Sequence, residues 1–325
     1  MSVSIVLCTY NGERWLSQLW DSLLMQTRAP DEIVVRDDAS LDGTFELLTK
    51  LRDAAVARGI RVTLARNERN LGFVANFEAA LADASGEILF LCDQDDIWHP
   101  DKLATMLGEF GRRPNLLLLH SDARLVDENG SDMDCGLFEA LEVTRRECML
   151  IHSGRAFDVL LRRNLATGAT LAFRRSLLNE VKPFPREWVH DEWLAIIAAA
   201  IGEVDCLEQP LIDYRQHGGN QIGAQRRSAW SKFEDLFMSR AQALRRELQR
   251  MRELLSHFAR LDAARTQLPH AKLVARAAHF DLRLGLGRVS KWRRLKPILR
   301  EARSGSYAVW GNGKLSMLRD LLRRD

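Results

Sequence analysis

The sequence predicts an α/β fold built on a Rossmann-like, mostly parallel sheet flanked by helices. Short apolar runs that fit buried strands alternate four times with helical segments in the first hundred residues. Several of these strands run directly into polar or acidic residues, and open α/β sheets bind ligands at the carboxyl ends of their strands. A chain of 325 residues can also bury a sizeable core. We therefore expect a nucleotide-binding sheet with its site along one edge.

The spacing of apolar residues predicts the individual strands and helices. It predicts strands over Val3–Thr9, 32–36, 61–65 and Ile88–Cys92, with helices over Glu13–Leu24, 44–51 and 73–84. The unbroken apolar run at Ile88–Cys92 is typical of a central strand that is buried on both faces. Farther along, strands are expected over 116–120, 167–173, 204–207 and 210–214, with a turn-rich stretch over 122–151 and a loop over 215–223. Residues 194–201 form a helix that is apolar all round and should be buried.

Charge divides the chain into two parts. Residues 1–225 hold 23 Lys and Arg against 35 Asp and Glu, whereas residues 226–325 hold 24 against 9. We expect one α/β domain over residues 1–225 and a basic helical region over residues 226–325, which begins with a long amphipathic helix over 230–257. Basic, amphipathic sequence with aromatic residues suits either an interfacial membrane helix or a solvated face packed on the acidic domain.

Cysteine usage indicates the compartment. The five cysteines are scattered without a CxxC pair, which favours reduced thiols over a disulfide framework or a zinc site. No signal peptide is readable and no apolar run reaches the length of a membrane span. We expect a cytoplasmic protein.

Three carboxylates follow the predicted central strand. Asp93, Asp95 and Asp96 lie within four residues of one another, and ionised groups this close repel unless a cation balances them. Mg²⁺ or Mn²⁺, held by carboxylates and phosphate oxygens, would remove the conflict. The alternative is that Asp95 or Asp96 caps a helix that begins near His99 and Pro100. Three acidic residues in four favour the metal.

Further polar clusters follow other strands. Thr9-Tyr-Asn-Gly12 ends the first strand, Asp37-Asp38 ends the second, and His190-Asp191 precedes the buried helix. Taken alone, Asp37-Asp38 would be assigned to an Asx-turn or a helix cap. If the sheet is as predicted, these clusters converge with the three carboxylates at one edge.

These motifs together resemble the family 2 glycosyltransferases, enzymes with the GT-A fold, over about residues 3–223. Ser4-Ile-Val-Leu-Cys-Thr-Tyr-Asn-Gly12 is similar to that family's opening strand and turn, and Val34 to Thr44 is similar to its base-recognition segment. Leu91-Cys-Asp-Gln-Asp-Asp96 resembles its metal motif, and His190-Asp-Glu-Trp193 its acceptor-side motif. Two positions depart from the pattern: Ala39 stands where Gly is more usual, and Ala75 where many relatives have Arg.

The resemblance implies an inverting, metal-dependent transfer of a sugar from a nucleoside-diphosphate donor. Asp191 would be the general base, with Glu192 as its substitute. Asp38 would accept a hydrogen bond from the donor's pyrimidine, and Arg215 would contact a phosphate. The donor-binding candidates are Thr9, Tyr10, Asn11, Asp38, Asn70, Gly72, Asn76, Asp93, Asp95 and Arg215. The metal candidates are Asp95, Asp96 and His217, for Mn²⁺ or Mg²⁺, and the acceptor-side candidates are His190, Glu192 and Trp193.

The pairing of the His-Asp-x-Trp motif with Tyr214-Arg-Gln-His-Gly-x-Asn220 is most similar to rhamnosyltransferase-like members of bacterial surface polysaccharide synthesis. This resemblance implies a dTDP- or UDP-sugar donor, with dTDP-L-rhamnose as one candidate. The acceptor would be a saccharide or a lipid-linked saccharide at the cytoplasmic face of the inner membrane, where the basic region could contact anionic lipid.

Two other functions compete with transfer. A sugar-nucleotide pyrophosphorylase shares the nucleotide-binding sheet but would want a Gly-rich, basic loop after the first strand, and Tyr10-Asn11-Gly12 lacks it. A non-catalytic module could grip nucleic acid with the basic region. The carboxylate cluster gives that function no support, so we expect no nucleic-acid partner.

Overall fold

A computed structural model describes residues 1–218 and 240–323. It divides the chain into two compact units, Met1–Arg226 and Arg227–Asp325. The first unit contains a mixed sheet with helices around it, and the second unit is helical in its described part.

One sheet organises the first unit. Its strands are β1 (Val3–Thr9), β2 (Glu32–Asp37), β3 (Arg61–Arg66), β4 (Ile88–Cys92), β5 (Ile97–Trp98), β6 (Leu116–Val126), β7 (Asp132–Gly136), β8 (Leu171–Arg174) and β9 (Glu203–Arg215). They lie in the order β3-β2-β1-β4-β8-β6-β9-β5, and β7 pairs with β6 outside that path. Six of these strands run one way, and β5, β7 and β8 run the other. The sheet is therefore mostly parallel.

The centre of the sheet is β1, which pairs in parallel with β2 and β4. Both β1 and β4 are buried almost throughout, since each lies inside the sheet and apolar side chains cover both faces. The parallel register brings Thr9 opposite Asp37 and Leu7 opposite Cys92. The polar residues that follow these strands therefore emerge at the same edge.

Helices cover the sheet and connect its strands. The longer ones in the first unit are α1 (Glu13–Leu24), α2 (Thr44–Val56), α3 (Phe73–Asp83), α4 (Lys102–Arg112) and, after four short helices between Leu137 and Val181, α9 (His190–Ile201). The short ones, α5 to α8, are Leu137–Ala140, Arg145–Leu150, Ala156–Leu160 and Leu178–Val181. As predicted, α9 is buried over almost its whole length, because its residues are apolar on every side.

Four local expectations from the sequence were inaccurate. The two strands predicted over 204–207 and 210–214 are one strand, β9, whose register with β6 shifts after Leu207. The turn-rich stretch contains the end of β6 and the antiparallel strand β7. Residues Gly168–Thr170 form a 3₁₀ turn rather than strand, and only then does β8 begin. The helix expected near His99 begins at Lys102, too far along for Asp95 or Asp96 to cap it. Strand pairing decided the first two cases.

The described part of the second unit consists of helices. They span Arg240–Phe258, Ala263–Leu286, Lys291–Arg303, Ser306–Trp310 and Lys314–Leu322. The predicted start of the first of these helices, near residue 230, lies outside the described residues. None of the helices that the structure describes is both long enough and apolar enough to cross a membrane.

A buried ion pair ties the last helices together. Arg283 Nε donates to Asp320 Oδ2 at 2.7 Å, and the Tyr307 hydroxyl donates to the same oxygen at 3.0 Å. Apolar side chains, among them Leu286 and Ile298, form a small core beside this pair. The basic region thus has a core of its own and uses some of its arginines inside it.

Ala39 has a left-handed backbone conformation in the turn after β2, with a φ of 60°. An L-residue is strained there because its Cβ approaches the following carbonyl oxygen. The conformation is imposed from outside, since Asp37 accepts from the Ser40 backbone at 3.0 Å and the Asp38 backbone donates to Thr9 O at 2.8 Å. The turn explains why Gly is the more usual residue at this position.

Replacing Ala39 by Gly should therefore raise the free energy of unfolding by about 0.5 kcal/mol, because relief of left-handed strain exceeds the added entropy of the unfolded chain. Urea denaturation measures the change. Ala54→Gly, at an exposed position of α2, is the matched control and should lower stability by about 0.5–1 kcal/mol. Equal losses in both variants would contradict the strain at Ala39.

Candidate active site

A cavity of about 1040 Å³ opens in the first unit where β1, β2 and β4 end. Most of the residues singled out from the sequence line it: Thr9, Tyr10, Asn11, Asp38, Asn70, Gly72, Asn76, Asp93, Asp95, His190, Asp191, Glu192 and His217. Asp96, Trp193 and Arg215 do not. One cavity thus brings together four sequence motifs that lie up to two hundred residues apart.

Asp38 orders one wall of this cavity. Its carboxylate accepts hydrogen bonds from the backbone of Leu71 at 2.8 Å and of Gly72 at 2.9 Å, and from the Asn67 amide at 2.7 Å. Asn67 also donates to Asn76 at 2.8 Å. The buried carboxylate is therefore satisfied by the loop that precedes α3, and it holds that loop against the end of β2.

The turn after β1 is fixed by side chains from its neighbours. Gln94 accepts from Tyr10 N at 2.8 Å and donates to Tyr10 O at 2.9 Å. The backbone of Asn11 donates to Ser40 Oγ, and that of Gly12 donates to Thr44 Oγ1. A Cβ on Gly12 would lie 2.2 Å from Gln94 Oε1. A side chain at this position would therefore push the Gln94 amide out of its hydrogen bonds with Tyr10.

The carboxylates after β4 lie in surroundings that disfavour their charge. Burial, with the nearby carboxylates of Asp95 and Asp191, raises the pKa of Asp93 to about 7. Burial likewise raises the pKa of Asp96 well above its usual value, and Asp95 and Asp93 add to the shift. The crowding inferred from the sequence is therefore present in the structure.

Lys102 is a buried cation whose charge favours the ionised forms of Asp93 and Asp96. Its ammonium donates to Ala169 O at 2.7 Å and lies 3.7 Å from the centre of the Trp98 ring. Burial lowers its pKa to about 7, although Asp96 and Asp93 favour its charged form. One cation in this state cannot balance three carboxylates.

The donor groups at this edge are of the chemical types that bind a hard divalent cation. Among the residues that the structure describes, Asp96 Oδ2 is a buried carboxylate oxygen with no hydrogen-bond partner, while Oδ1 accepts from the backbone of Arg215 at 3.1 Å. Asp95 faces the cavity, where His217 Nε2 lies 2.7 Å from its Oδ2. Carboxylate oxygens and one imidazole suit Mn²⁺ and, with more difficulty, Mg²⁺.

A second group of metal-ligand types lies away from the cavity. Within the described ranges, the three ligands whose atoms all fall within 4.8 Å of one another are His152, Asp205 and Cys206. His152 Nδ1 is 2.6 Å from Asp205 Oδ1, and Arg113 donates to the other oxygen of this carboxylate. Asp205 is thereby balanced without a metal. Asp95, Asp96 and His217 do not meet this spacing as the structure places them.

Two predicted contact residues point elsewhere. Arg215 is almost fully buried, and its guanidinium donates to Asp95 O at 2.8 Å, to Glu128 O at 3.1 Å and to Gln18 Oε1 at 2.8 Å. It braces the loop of the carboxylates and does not reach the cavity. Trp193 is fully buried and donates to Val181 O at 2.8 Å. It packs α9 rather than facing an acceptor.

Asp191 lies at the other side of the cavity, in the first turn of α9. Its Oδ2 accepts from Gly168 N at 2.8 Å and its Oδ1 from Glu192 N at 2.5 Å. Burial raises the pKa of Asp191 to about 7. It is the second residue of the helix, whose N-cap is Val189, and besides facing the cavity it accepts from a backbone N–H of the first turn.

His190 lies next to it as a neutral ring. It stacks on Phe77 with ring centres 4.2 Å apart, and burial lowers its pKa to about 3. Among the described residues neither ring nitrogen has a hydrogen-bond partner. A Cβ on Gly168 would lie 3.1 Å from His190 Nε2 and 3.6 Å from Asp191 Oδ2. The Gly168 turn and these two side chains therefore fit closely.

Comparison with known proteins identifies the family. The family model described as glycosyl transferase family 2 matches residues 4–181, more than half of the chain. The chain belongs to this family. The sequence-based prediction of the family is confirmed.

Individual relatives agree with this assignment. The chain is 28% identical over 224 residues to an uncharacterized glycosyltransferase of Nostoc sp., which is 68% of this chain and 66% of that protein. It is 30% identical over 200 residues to the UDP-Glc:alpha-D-GlcNAc-diphosphoundecaprenol beta-1,3-glucosyltransferase WfgD of Escherichia coli. This match covers 60% of this chain and 69% of the Escherichia coli protein. It matches 59% of an uncharacterized Mycobacterium tuberculosis protein at 30% identity. The matched part thus falls short of two thirds of some relatives.

A solved structure supports the fold. TarS of Staphylococcus aureus, residues 1–349 in complex with UDP-GlcNAc, superposes with a TM-score of 0.57 at 19% identity. The match covers 95% of this chain and 89% of that one. The GT-A fold predicted from the sequence is confirmed.

Several residues that shape the glycosyltransferase site were missed from the sequence. Gln94 had a signal, since it lies between two of the aspartates, but its bonds to Tyr10 depend on the pairing of β1 with β4. Lys102 had none, because a lysine near the start of a helix is ordinarily exposed. Gly168 was assigned to a strand, and its turn only acquires meaning beside Asp191.

We expect Gly168→Ala to lower glycosyl transfer on the order of tenfold, since the new methyl group must displace His190 or Asp191 and small misplacements of reacting groups are costly. Steady-state kinetics measures the effect, and thermal unfolding establishes that the variant is folded. Gly108→Ala is the matched control, because a Cβ there meets nothing closer than 3.9 Å. Unchanged turnover in Gly168→Ala would contradict the close fit.

Proposed function

We propose that the protein transfers a sugar, with inversion, from a nucleoside diphosphate to a hydroxyl group of a saccharide or lipid-linked saccharide. The observation that carries the proposal is the meeting of Asp38, Asp95 and Asp191 on one cavity. Base recognition, diphosphate binding and proton removal each need one of these carboxylates. All of the described residues that line this cavity belong to the first unit.

The donor is proposed to bind between Asp38 and Asp95. Asp38 would accept from the imide N–H of a pyrimidine, since each carboxylate oxygen has more than one acceptor site. Thr9, Tyr10, Asn11, Asn70, Gly72 and Asn76 would line the nucleoside part. Asp95, Asp96 and His217 would hold Mn²⁺ or Mg²⁺, with Asp93 on the ribose or the ion. When bound, the cation would balance the charge of the departing diphosphate.

Asp191 is proposed as the general base. Two backbone N–H groups orient its carboxylate, and a pKa of about 7 suits it to accept a proton near neutral pH. It would remove the proton of the acceptor hydroxyl as this oxygen attacks the anomeric carbon from the face opposite the diphosphate, which inverts the configuration. Glu192 and the neutral ring of His190 would line the part of the cavity that receives the acceptor.

The relatives guide the choice of substrates. The Escherichia coli protein is named for UDP-glucose, for a diphosphoundecaprenol-linked acceptor and for a beta linkage, and TarS was solved with UDP-GlcNAc. We therefore propose a UDP- or dTDP-sugar and a lipid-linked acceptor at the cytoplasmic face of the inner membrane. The His-Asp-x-Trp motif keeps dTDP-L-rhamnose among the donors to test.

The structure argues against pyrophosphorylase chemistry. A triphosphate cradle after β1 would need free backbone N–H groups there. Those of Tyr10, Asn11 and Gly12 already donate to Gln94, Ser40 and Thr44. Family membership likewise favours transfer over a binding module without catalysis.

A panel of UDP-, dTDP- and GDP-sugars, incubated with Mn²⁺, Mg²⁺ or a chelator, should give slow release of nucleoside diphosphate from one donor and only with metal. Asp95→Asn should weaken metal-dependent donor binding at least tenfold, since it removes an anionic ligand. Asp53→Asn, at an exposed position of α2, is the control. Equal release with chelator would contradict metal dependence, and failure to bind any donor by calorimetry would contradict the proposed function.

Asp191→Asn should lower transfer by about three orders of magnitude or more, yet leave donor binding close to that of the parent protein. Because the base acts only when ionised, kcat/KM of the parent should rise with pH through about 7 and level off above it. Glu192→Gln is the control and should retain the same pH profile. Loss of activity in Glu192→Gln with near-normal Asp191→Asn would move the base to Glu192.

A further inference from the structure

We propose that one face of the helix Lys291–Arg303 docks on anionic lipid. This lipid-facing surface consists of Trp292, Leu295 and Leu299 with the flanking Lys291, Lys296, Arg300 and Arg303.

The apolar part of the surface is exposed in the structure. Trp292 has 87% of its surface accessible, and Leu295 and Leu299 are also exposed. Because an α-helix turns about 100° per residue, these three side chains fall on one face. Exposed aromatic and aliphatic residues grouped in this way mark interaction surfaces more often than isolated ones do.

Basic residues border this apolar stripe. On the helical wheel Lys291 lies on one side of it, and Lys296 and Arg303 lie on the other, followed by Arg300. All four are exposed. Long basic side chains can extend their charge toward headgroups while their methylenes lie along apolar surface. A tryptophan flanked by cations is therefore suited to the interface of an anionic bilayer.

An adjoining face of the helix is anchored within the second unit. Ile298 is buried in the core with Tyr307 and Leu286. Arg294 is buried, and its guanidinium donates to the carbonyls of Val289 at 2.9 Å and Arg323 at 2.8 Å. Packing thus fixes which face of the helix is turned outward, and the docking surface is preformed.

Lipid fits this surface better than nucleic acid does. A nucleic-acid surface needs cations and can use stacking, but Leu295 and Leu299 would gain nothing from a sugar–phosphate backbone. The acyl boundary of a bilayer accepts both leucines and tryptophan, while anionic headgroups attract the surrounding cations. Net charge agrees, since residues 226–325 hold 24 basic and 9 acidic residues.

This inference deepens the proposed function, since it assigns the part of the chain that would meet the membrane of a lipid-linked acceptor. Its measurement is nevertheless separate. Vesicle binding needs neither donor nor metal, so failure of the docking surface and failure of the transferase proposal give different results.

Flotation of the full chain with vesicles tests the inference. The parent protein should float with phosphatidylcholine–phosphatidylglycerol vesicles and remain behind with phosphatidylcholine alone. Trp292→Ala combined with Leu299→Ala should lower recovery on the order of tenfold. Lys296→Ser combined with Arg300→Ser should lower the partition coefficient about 25-fold, since each basic residue near an anionic surface contributes roughly fivefold.

Matched controls separate this face from general properties of the chain. Leu268→Ala with Val274→Ala removes exposed apolar residues from the helix Ala263–Leu286, and Arg245→Ser with Arg246→Ser removes the same charge from the helix Arg240–Phe258. Both controls should float like the parent, and circular dichroism checks that all variants are folded. Equal recovery on neutral and anionic vesicles, equal losses in controls and test variants, or binding to RNA but not to vesicles would overturn the proposal.

Discussion

Repulsion among crowded carboxylates is the constraint on which the candidate site depends. Asp93 and the buried Asp96 lie close to Asp95, and loss of solvent raises the pKa values of Asp93 and Asp96. Crowded like charges away from water are costly unless a cation balances them. Under the proposed function, a divalent cation bound together with the diphosphate would balance them, because the carboxylates would then be its ligands. Without the cation, the same carboxylates would repel the diphosphate.

The rest of the first unit keeps this cluster in position. Arg215 braces the backbone of the carboxylate loop, and Gln94 joins that loop to the turn after β1. Lys102 connects the same region to Ala169, one residue after the glycine that donates to Asp191. The Asp95 side and the Asp191 side of the cavity are therefore linked by a few buried polar contacts. Such contacts fix distances without occupying the cavity.

The second unit uses its basic residues in two ways. Its arginines are divided between the interior, where Arg283 pairs with Asp320, and the surface, where basic residues surround Trp292. Charge counted along the sequence does not distinguish these uses. Family membership also says little about this region, since the family match ends at residue 181. The helical region is where proteins with a common GT-A domain can differ in the surface that they present.

The sequence alone determined the strand–helix alternation and the family, and most of the candidate residues that it singled out line the cavity, because buried parallel strands and their polar ends have local patterns. Asp38, Asp95 and Asp191 could be found in this way. The tertiary structure decided what local pattern cannot carry: that β9 is one strand, that Arg215 and Trp193 turn inward, and that Lys102 is buried beneath the site. Each depends on partners distant in sequence, whose contacts exist only once the sheet has paired.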